Sequence, residues 1–316
     1  MYYIGIDLGG TNIYAGVTDT DGVILSRAHR KTNLPRPSGE IVADIIGCAR
    51  DAVANAGFAL SDIAAVGVCS PGSVNLTTGV VEYSNNLEFT DVPLRGLLSD
   101  ALGIPAHIAN DANASAWGEY RAGAGKNTRD FVAVTLGTGV GAGVIISGRL
   151  MTGFNDGAGE LGHTVIVAGG DDCTCGRRGC VEAYTSATAL IRQTRAAMTV
   201  HRSSKLWEVA RTLEDVDGKT AFDGALLGDA AAADVVAQYI EYLGIALTNI
   251  VNTFQPERLS IGGGVSAQGD VLLTPLREHV NRARYTRNSA RNTEISVSQL
   301  GNDAGIIGAA LLHELG

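Results

Sequence analysis

The chain is 316 residues long, with 45% hydrophobic and 18% charged residues, which is core enough for about two ordinary domains and excludes global disorder. Its 41 glycines against 7 prolines point to tight turns within an ordered fold, not to linkers or collagen. A net charge of −9 with no basic block argues against a nucleic-acid partner, so an anionic ligand must be held locally, by backbone N–H groups or a metal ion.

No apolar run reaches the ~20 residues of a membrane span, and no membrane partner is expected. The opening Met1-Tyr2-Tyr3-Ile4-Gly5-Ile6-Asp7 carries no basic leader and reads at once as a strand. A cytoplasmic location without disulfides is the expectation. Tyr2 to Asp7 forms the first strand, broken by Leu8-Gly9-Gly10-Thr11. Asn12 to Thr18 is the second, and the Asp21-Gly22 turn returns a third over Val23 to Arg27. Residues 38–57 place Ile41, Ile45, Ala49 and Ala52 on one helical stripe. Ile63 to Val68 is a buried strand that ends in Cys69-Ser70-Pro71-Gly72. The patterning then predicts a helix over 92–102, a strand over 105–109 and a helix over 111–120.

The opening pattern recurs in the second half: a strand over 131–136, a break at Gly137-Thr138-Gly139, and a second strand over 140–147. This internal repeat predicts two related domains facing each other across a cleft. Residues 195–230 show only a helical tendency. Val235, Ile240, Leu243, Leu247, Ile250 and Val251 form a long apolar helical stripe. Leu259-Ser260-Ile261 is a strand running into Gly262-Gly263-Gly264; a helix over 270–284, a strand over 294–297 and a helix over 302–315 complete the chain. Strands interleaved with helices place it in the α/β class.

Three glycine turns thus follow strands, and each either cradles phosphate with backbone N–H groups or merely turns the chain. A Walker A loop fails, because Gly125-Lys126 is followed by Asn127. Gly137-Thr138-Gly139-Val140-Gly141-Ala142 has the letters of a dinucleotide fingerprint, yet it leads into a strand rather than a helix. Among the five cysteines, Cys48 and Cys69 sit in apolar surroundings and read as inert buried thiols. Cys173, Cys175 and Cys180, with His163 upstream, make a Cys₃His set suited to structural zinc. Four protein ligands leave no open position for water, so such an ion would fix the segment from Glu160 to Glu182 rather than catalyse.

Taken together, Asp7-Leu8-Gly9-Gly10-Thr11-Asn12, Asn110-Asp111, Leu136-Gly137-Thr138-Gly139, Gly159-Glu160-Leu161-Gly162-His163, Cys173 to Glu182 and Gly262-Gly263-Gly264 resemble the ROK family of sugar kinases and sugar-responsive repressors. The resemblance implies two actin-like ATPase (ribonuclease H-like) domains: a smaller one over 1–113 with 301–316, and a larger one over 114–300 carrying the zinc knuckle. It implies that Asp7 helps hold Mg²⁺ and that Gly9, Gly10, Thr11 and Asn12 complete a first phosphate loop. Gly137, Thr138 and Gly139 match the second loop, and Gly262, Gly263 and Gly264 the turn beside the adenosine of ATP. Asp111 matches the general base; Gly72, Asn86, Asn110, Glu160, His163 and Glu182 match sugar-binding positions. One departure is Asn86-Leu87-Glu88-Phe89, where many family glucokinases carry an Asn-Leu-Pro-Gly-Trp-like run.

The activity implied is ATP-dependent phosphorylation of a hexose, first of all glucose at its 6-hydroxyl, by a homodimer or homotetramer. N-acetylmannosamine, N-acetylglucosamine and fructose kinases share the zinc motif and stand as alternatives. A sugar-sensing repressor would need a DNA-binding segment, for which a strand starting at residue 2 leaves no room. A sugar-binding protein without catalysis would need a broken phosphate loop or base. By itself, Asp111 at a helix start also reads as a simple N-cap, and the helix dipole there favours its ionised form.

Overall fold

The computed structural model describes residues 1–315. β1 (Tyr2–Leu8) and β2 (Asn12–Thr18) pair antiparallel around the Gly9-Gly10 turn. β3 (Ile24–Lys31) returns after a turn in which the Asp19 carboxylate accepts from the N–H groups of Asp21 and Val23. It runs past Arg27 because its alternating half-buried and exposed residues stay in register with β2 as far as Lys31. α1 (Ser38–Asn55) buries Ile41, Ile45, Ala49 and Ala52, as its periodicity requires. β4 (Ile63–Ser70) lies parallel to β1.

A small antiparallel sheet of β5 (Ser73–Asn75), β6 (Val80–Ser84) and β7 (Phe89–Val92) follows, which periodicity did not foretell. α2 (Leu94–Leu102) therefore begins after Pro93 rather than at 92. β8 (Ala106–Asn110) feeds directly into α3 (Asp111–Ala122). The first sheet has the order β3-β2-β1-β4-β8.

The repeat supplies β9 (Phe131–Leu136), β10 (Val140–Ile146) and β11 (Arg149–Leu150). Then come α4 (Glu182–Thr185), α5 (Ala187–Val200), α6 (Leu206–Val209) and α7 (Thr220–Leu226), so 195–230 is helical in pieces. Met198, Leu206, Ala210, Val216 and Ala232 pack into one small core there. α8 (Ala230–Phe254), β12 (Arg258–Gly262), α9 (Asp270–Ala283), β13 (Glu294–Val297) and α10 (Ala304–Ala310) complete the chain. The expected last helix stops at Ala310, where a 3₁₀ turn over Leu311–Leu315 takes over. The second sheet has the order β11-β10-β9-β12-β13.

Contrary to the expectation from unbroken apolar runs, α8, at 25 residues, is long and apolar enough to cross a bilayer by length and composition. Its polar residues interrupt the run without lowering the mean below that of a spanning helix. Here it packs against α5, α7 and α9, and the buried Tyr239 hydroxyl donates to the Thr185 carbonyl at 2.7 Å. It is a core helix.

The contacts gather into two compact units. The first holds Met1–Ala133, Gly143–Gly159 and the chain from Ser298 on; the second holds Val134–Ala142 and Glu160–Val297. α3 stays whole within the first unit because α10 lies tightly against it. A Cβ on Gly308 would overlap the Ala114 carbonyl, and one on Gly5 would overlap the Ile306 carbonyl between α10 and β1. Glu119, 2% exposed, ties the returning chain to α3, its carboxylate accepting from the N–H groups of Ala124, Gln299 and Leu300.

Candidate functional site

In the first unit, the chain reverses after β1 through a tight turn in which the Gly9 N–H donates to the Asn12 carbonyl at 2.9 Å. Thr32 holds the turn from outside: its N–H donates to the Thr11 carbonyl at 3.0 Å and its hydroxyl to the Gly9 carbonyl at 2.7 Å. Gly10 lies beside the exposed Asn86, whose carbonyl would be 3.2 Å from a Cβ at position 10. The side-chain oxygen of Asn12 is buried and has no hydrogen-bond partner.

Asp7, next to last in β1, is half-buried. Burial pushes its carboxyl up to about 6; the Cys69 thiol counters part of this, and the negative charge of Asp111 adds to it. Cys69 is fully buried, and its Sγ lies 3.4 Å from Asp7 Oδ1. The inert thiol read from sequence is thus buried, but it is also a donor to Asp7. Gly305 at the start of α10 leaves room for the carboxylate, since a Cβ there would sit 2.6 Å from Asp7 Oδ2.

β8 delivers Asn110 and Asp111 to the N-terminus of α3. The Asn110 side-chain oxygen accepts from the N–H groups of Ala112 at 2.9 Å and Asn113 at 3.2 Å, so Asn110 is the cap. Its Nδ2 donates to the Gly72 carbonyl at 3.2 Å, which brings these two expected sugar positions together. Gly72 has φ +101°, and a Cβ there would overlap the Tyr83 carbonyl, so only glycine fits. Asp111 is therefore not the cap but the first helical residue, taking the Ala112 N–H at 2.9 Å. Burial raises its carboxyl above the ordinary range, against the pull of that N–H, so the helix start alone does not set its charge.

In the second unit, the Gly137 N–H donates to the Gly139 carbonyl at 3.0 Å and closes the second turn. α5 grips this turn: the Ala187 N–H donates to the Gly137 carbonyl at 2.9 Å, and the Thr188 hydroxyl to the Thr138 carbonyl at 2.8 Å. The third turn presses on the same strand end. Gly263 has φ +84°, and a Cβ there would overlap the Leu136 carbonyl. Gly262 is buried, while Gly263 and Gly264 are exposed.

His163, Cys173, Cys175 and Cys180 converge, with one ligand atom from each lying within 4.8 Å of the others. All three thiols are free of disulfides. Burial and the neighbouring thiols push Cys180 up to about 12, whereas the Arg177 N–H lowers Cys175. Three thiols this close resist joint ionisation unless a cation sits among them. Glu182 lies beside this cluster: its Oε1 accepts from the Thr174 hydroxyl at 2.7 Å, and its Oε2 from the Val140 N–H at 3.0 Å. Glu160 is exposed, directly before the Leu161–His163 turn, and its carbonyl accepts from the His163 N–H at 3.1 Å.

Sequence reasoning missed four participants: Cys69, Gly305, Thr174 and Thr188. Cys69 and Gly305 meet Asp7 only through tertiary packing, and no local spacing could have announced them. Thr174 was in view inside the cysteine run, but nothing in its spacing marks it as a partner of Glu182.

The ROK family model matches residues 3–315. A glucokinase from Halalkalibacterium halodurans is 36% identical over 312 residues, covering 98% of this chain and 94% of the relative. A glucokinase from Thermotoga maritima is 39% identical over 312 residues, covering 97% and 95%. The crystal structure of a ROK family glucokinase from Streptomyces griseus in complex with glucose and AMPPNP is similar with a TM-score of 0.84 and 34% identity, covering 100% of both chains.

Proposed function

The chain belongs to the ROK family, and from that premise we propose how its residues divide the work of a sugar kinase. It is a hexokinase-type kinase that phosphorylates glucose with ATP. The observation that carries this is end-to-end similarity to glucokinases, one of them seen with glucose and an ATP analogue. The two compact units are read as the two actin-like ATPase halves of the fold.

Phosphoryl transfer asks the protein for positioning and charge stabilisation more than for covalent chemistry. Asp111 takes the proton of the attacking hydroxyl, here assigned as the 6-hydroxyl. The new O–P bond forms as the bond to the leaving ADP breaks. Proton removal of this kind is worth ~10²–10⁴-fold. The raised carboxyl of Asp111 suits this role, since a base that binds its proton more firmly is a better acceptor. By the family resemblance, Gly72, Asn86 and Asn110 are assigned to sugar hydroxyls, and so are Glu160, His163 and Glu182. In the first unit the turn over Gly9, Gly10, Thr11 and Asn12, closed by the Gly9 N–H, is assigned the first phosphate contact. In the second, the turn over Gly137, Thr138 and Gly139, closed by the Gly137 N–H, is assigned the second, and Gly262, Gly263 and Gly264 flank the adenosine.

Asp7 fits a place near Mg²⁺, because a carboxyl pushed up by burial and by a neighbouring carboxylate is relieved by a cation. Mg²⁺, when bound, would offset negative charge on the β- and γ-phosphates of ATP. Zn²⁺ fits the His163, Cys173, Cys175 and Cys180 set in donor type and closeness. It would supply a rigid cross-link and no chemistry of the reaction. By the same family resemblance we expect a homodimer or homotetramer, and the free thiols suit a cytoplasmic location.

The test is sugar-dependent ADP release with Mg-ATP and glucose, mannose, fructose, N-acetylglucosamine or N-acetylmannosamine. The reading expects the highest kcat/KM with glucose. Preference for an N-acetylated sugar would replace the substrate and keep the chemistry.

A further inference from the structure

Resting on the kinase reading above, we propose that Glu182 is a positioning residue that couples the cysteine knuckle to the second phosphate turn, so that the state of the knuckle sets nucleotide affinity. The resemblance gives Glu182 to the sugar; its hydrogen bonds point elsewhere. Oε1 faces the knuckle, taking the Thr174 hydroxyl at 2.7 Å with the Cys173 Sγ at 3.8 Å. Oε2 faces the turn, taking the Val140 N–H at 3.0 Å. Gly139 lies against the same oxygen, so that a Cβ there would displace the Glu182 carboxylate. One carboxylate therefore spans from a proposed metal ligand to the backbone that would carry phosphate.

A second clamp runs in parallel. The segment that begins with Glu182 continues through Ser186 into α5, whose first residues hold Gly137 and Thr138 by their carbonyls. The turn is thus gripped on one side by Glu182 and on the other by Ala187 and Thr188. These groups belong to one short stretch of chain, anchored at its start by Cys180. With carbonyls and the N–H groups of Gly137 and Val140 tied down, the remaining N–H groups of the turn are held in fixed directions, as phosphate binding requires. A loosened knuckle frees Thr174, lets the carboxylate swing, and blurs those directions. Each Glu182 oxygen keeps a second lone pair for a sugar hydroxyl, so the two roles are compatible.

Thr174 is the residue to change, since it is exposed and has no proposed contact with either substrate. Thr174→Val removes the hydroxyl and keeps the shape. The readouts are mant-ATP affinity in the presence of Mg²⁺, glucose affinity by calorimetry, and zinc content. The expected result is nucleotide binding weakened roughly three- to tenfold, the scale of one ordinary hydrogen bond at an exposed position. Zinc content should stay at the wild-type value, glucose affinity should fall less than nucleotide affinity, and Thr174→Ser should restore nucleotide binding. Chelating the zinc should weaken nucleotide binding in the wild type more than in Thr174→Val, where the link is already cut. Unchanged nucleotide affinity in Thr174→Val, or a loss confined to glucose, overturns the coupling while leaving the kinase reading intact. A wild-type protein that binds no mant-ATP overturns both.

Discussion

Replacing Asp111 with asparagine separates catalysis from folding. The side-chain oxygen that accepts the Ala112 N–H at 2.9 Å is kept in asparagine, and Asn110 still caps α3. What is lost is the ability to accept a proton. At ~1.36 kcal/mol per tenfold, a general-base contribution of ~10²–10⁴ corresponds to about 3–5 kcal/mol of barrier. Stability should move the other way. Burial raises this carboxyl, so the folded state binds its proton more tightly than the unfolded chain does. The ionised group therefore costs stability at neutral pH, and a neutral isostere removes that cost. Coupled ADP release and thermal melting, run on one preparation, provide the assay. The account expects kcat to fall at least a hundredfold with a melting temperature equal to or above that of the wild type. Near-normal turnover would refute the base assignment. A lower melting temperature would show instead that Asp111 serves the helix.

Three further outcomes follow from the same geometry. Gly305→Ala would drive a Cβ to 2.6 Å from Asp7 Oδ2, so the Mg²⁺ requirement in an initial-rate titration should rise roughly tenfold, the scale of ~1–3 kcal/mol for overpacking; an unchanged requirement would free Asp7 from that role. Cys175→Ser removes a donor from the cluster of four, and zinc content measured by mass spectrometry of the intact metal should fall from one per chain toward zero; a full equivalent retained would take Cys175 out of the ligand set. Lowering pH should reduce kcat/KM through an acid limb above the ordinary 3.8 of an aspartate, because the Asp111 carboxyl is raised. Protonation in that window stabilises the fold while it halts the base, so activity must drop before melting does; a profile that is flat down to pH 4 would contradict this.

The strands and helices that sequence made legible are those with a long, one-sided apolar period. β1, β2, α1 and α8 follow directly from where Ile4, Ile6, Ile13, Ile41, Ile45 and Leu243 fall. The β5–β7 sheet was hidden because its strands are three to five residues long and Glu82, Tyr83, Thr90 and Asp91 are exposed, too little pattern to read. Residues 195–230 break into short helices around one small core, again without a sustained period. In the candidate site, motifs with local spacing were visible: the glycine turns, Asn110-Asp111 and the cysteine knuckle. Contacts between distant segments were not. Cys69 meets Asp7 across neighbouring strands, and Gly305 reaches Asp7 from the far end of the chain. The N-cap at Asn110 rather than Asp111 is a one-residue distinction that depends on where β8 ends.

The most direct test of the central claim is a single initial-rate measurement with zinc-replete protein, Mg-ATP and glucose, following glucose 6-phosphate and ADP together. The account predicts equal amounts of the two products, with ADP release dependent on the sugar. ADP formed without sugar phosphate, or no turnover with glucose while the protein still binds it, would contradict the account.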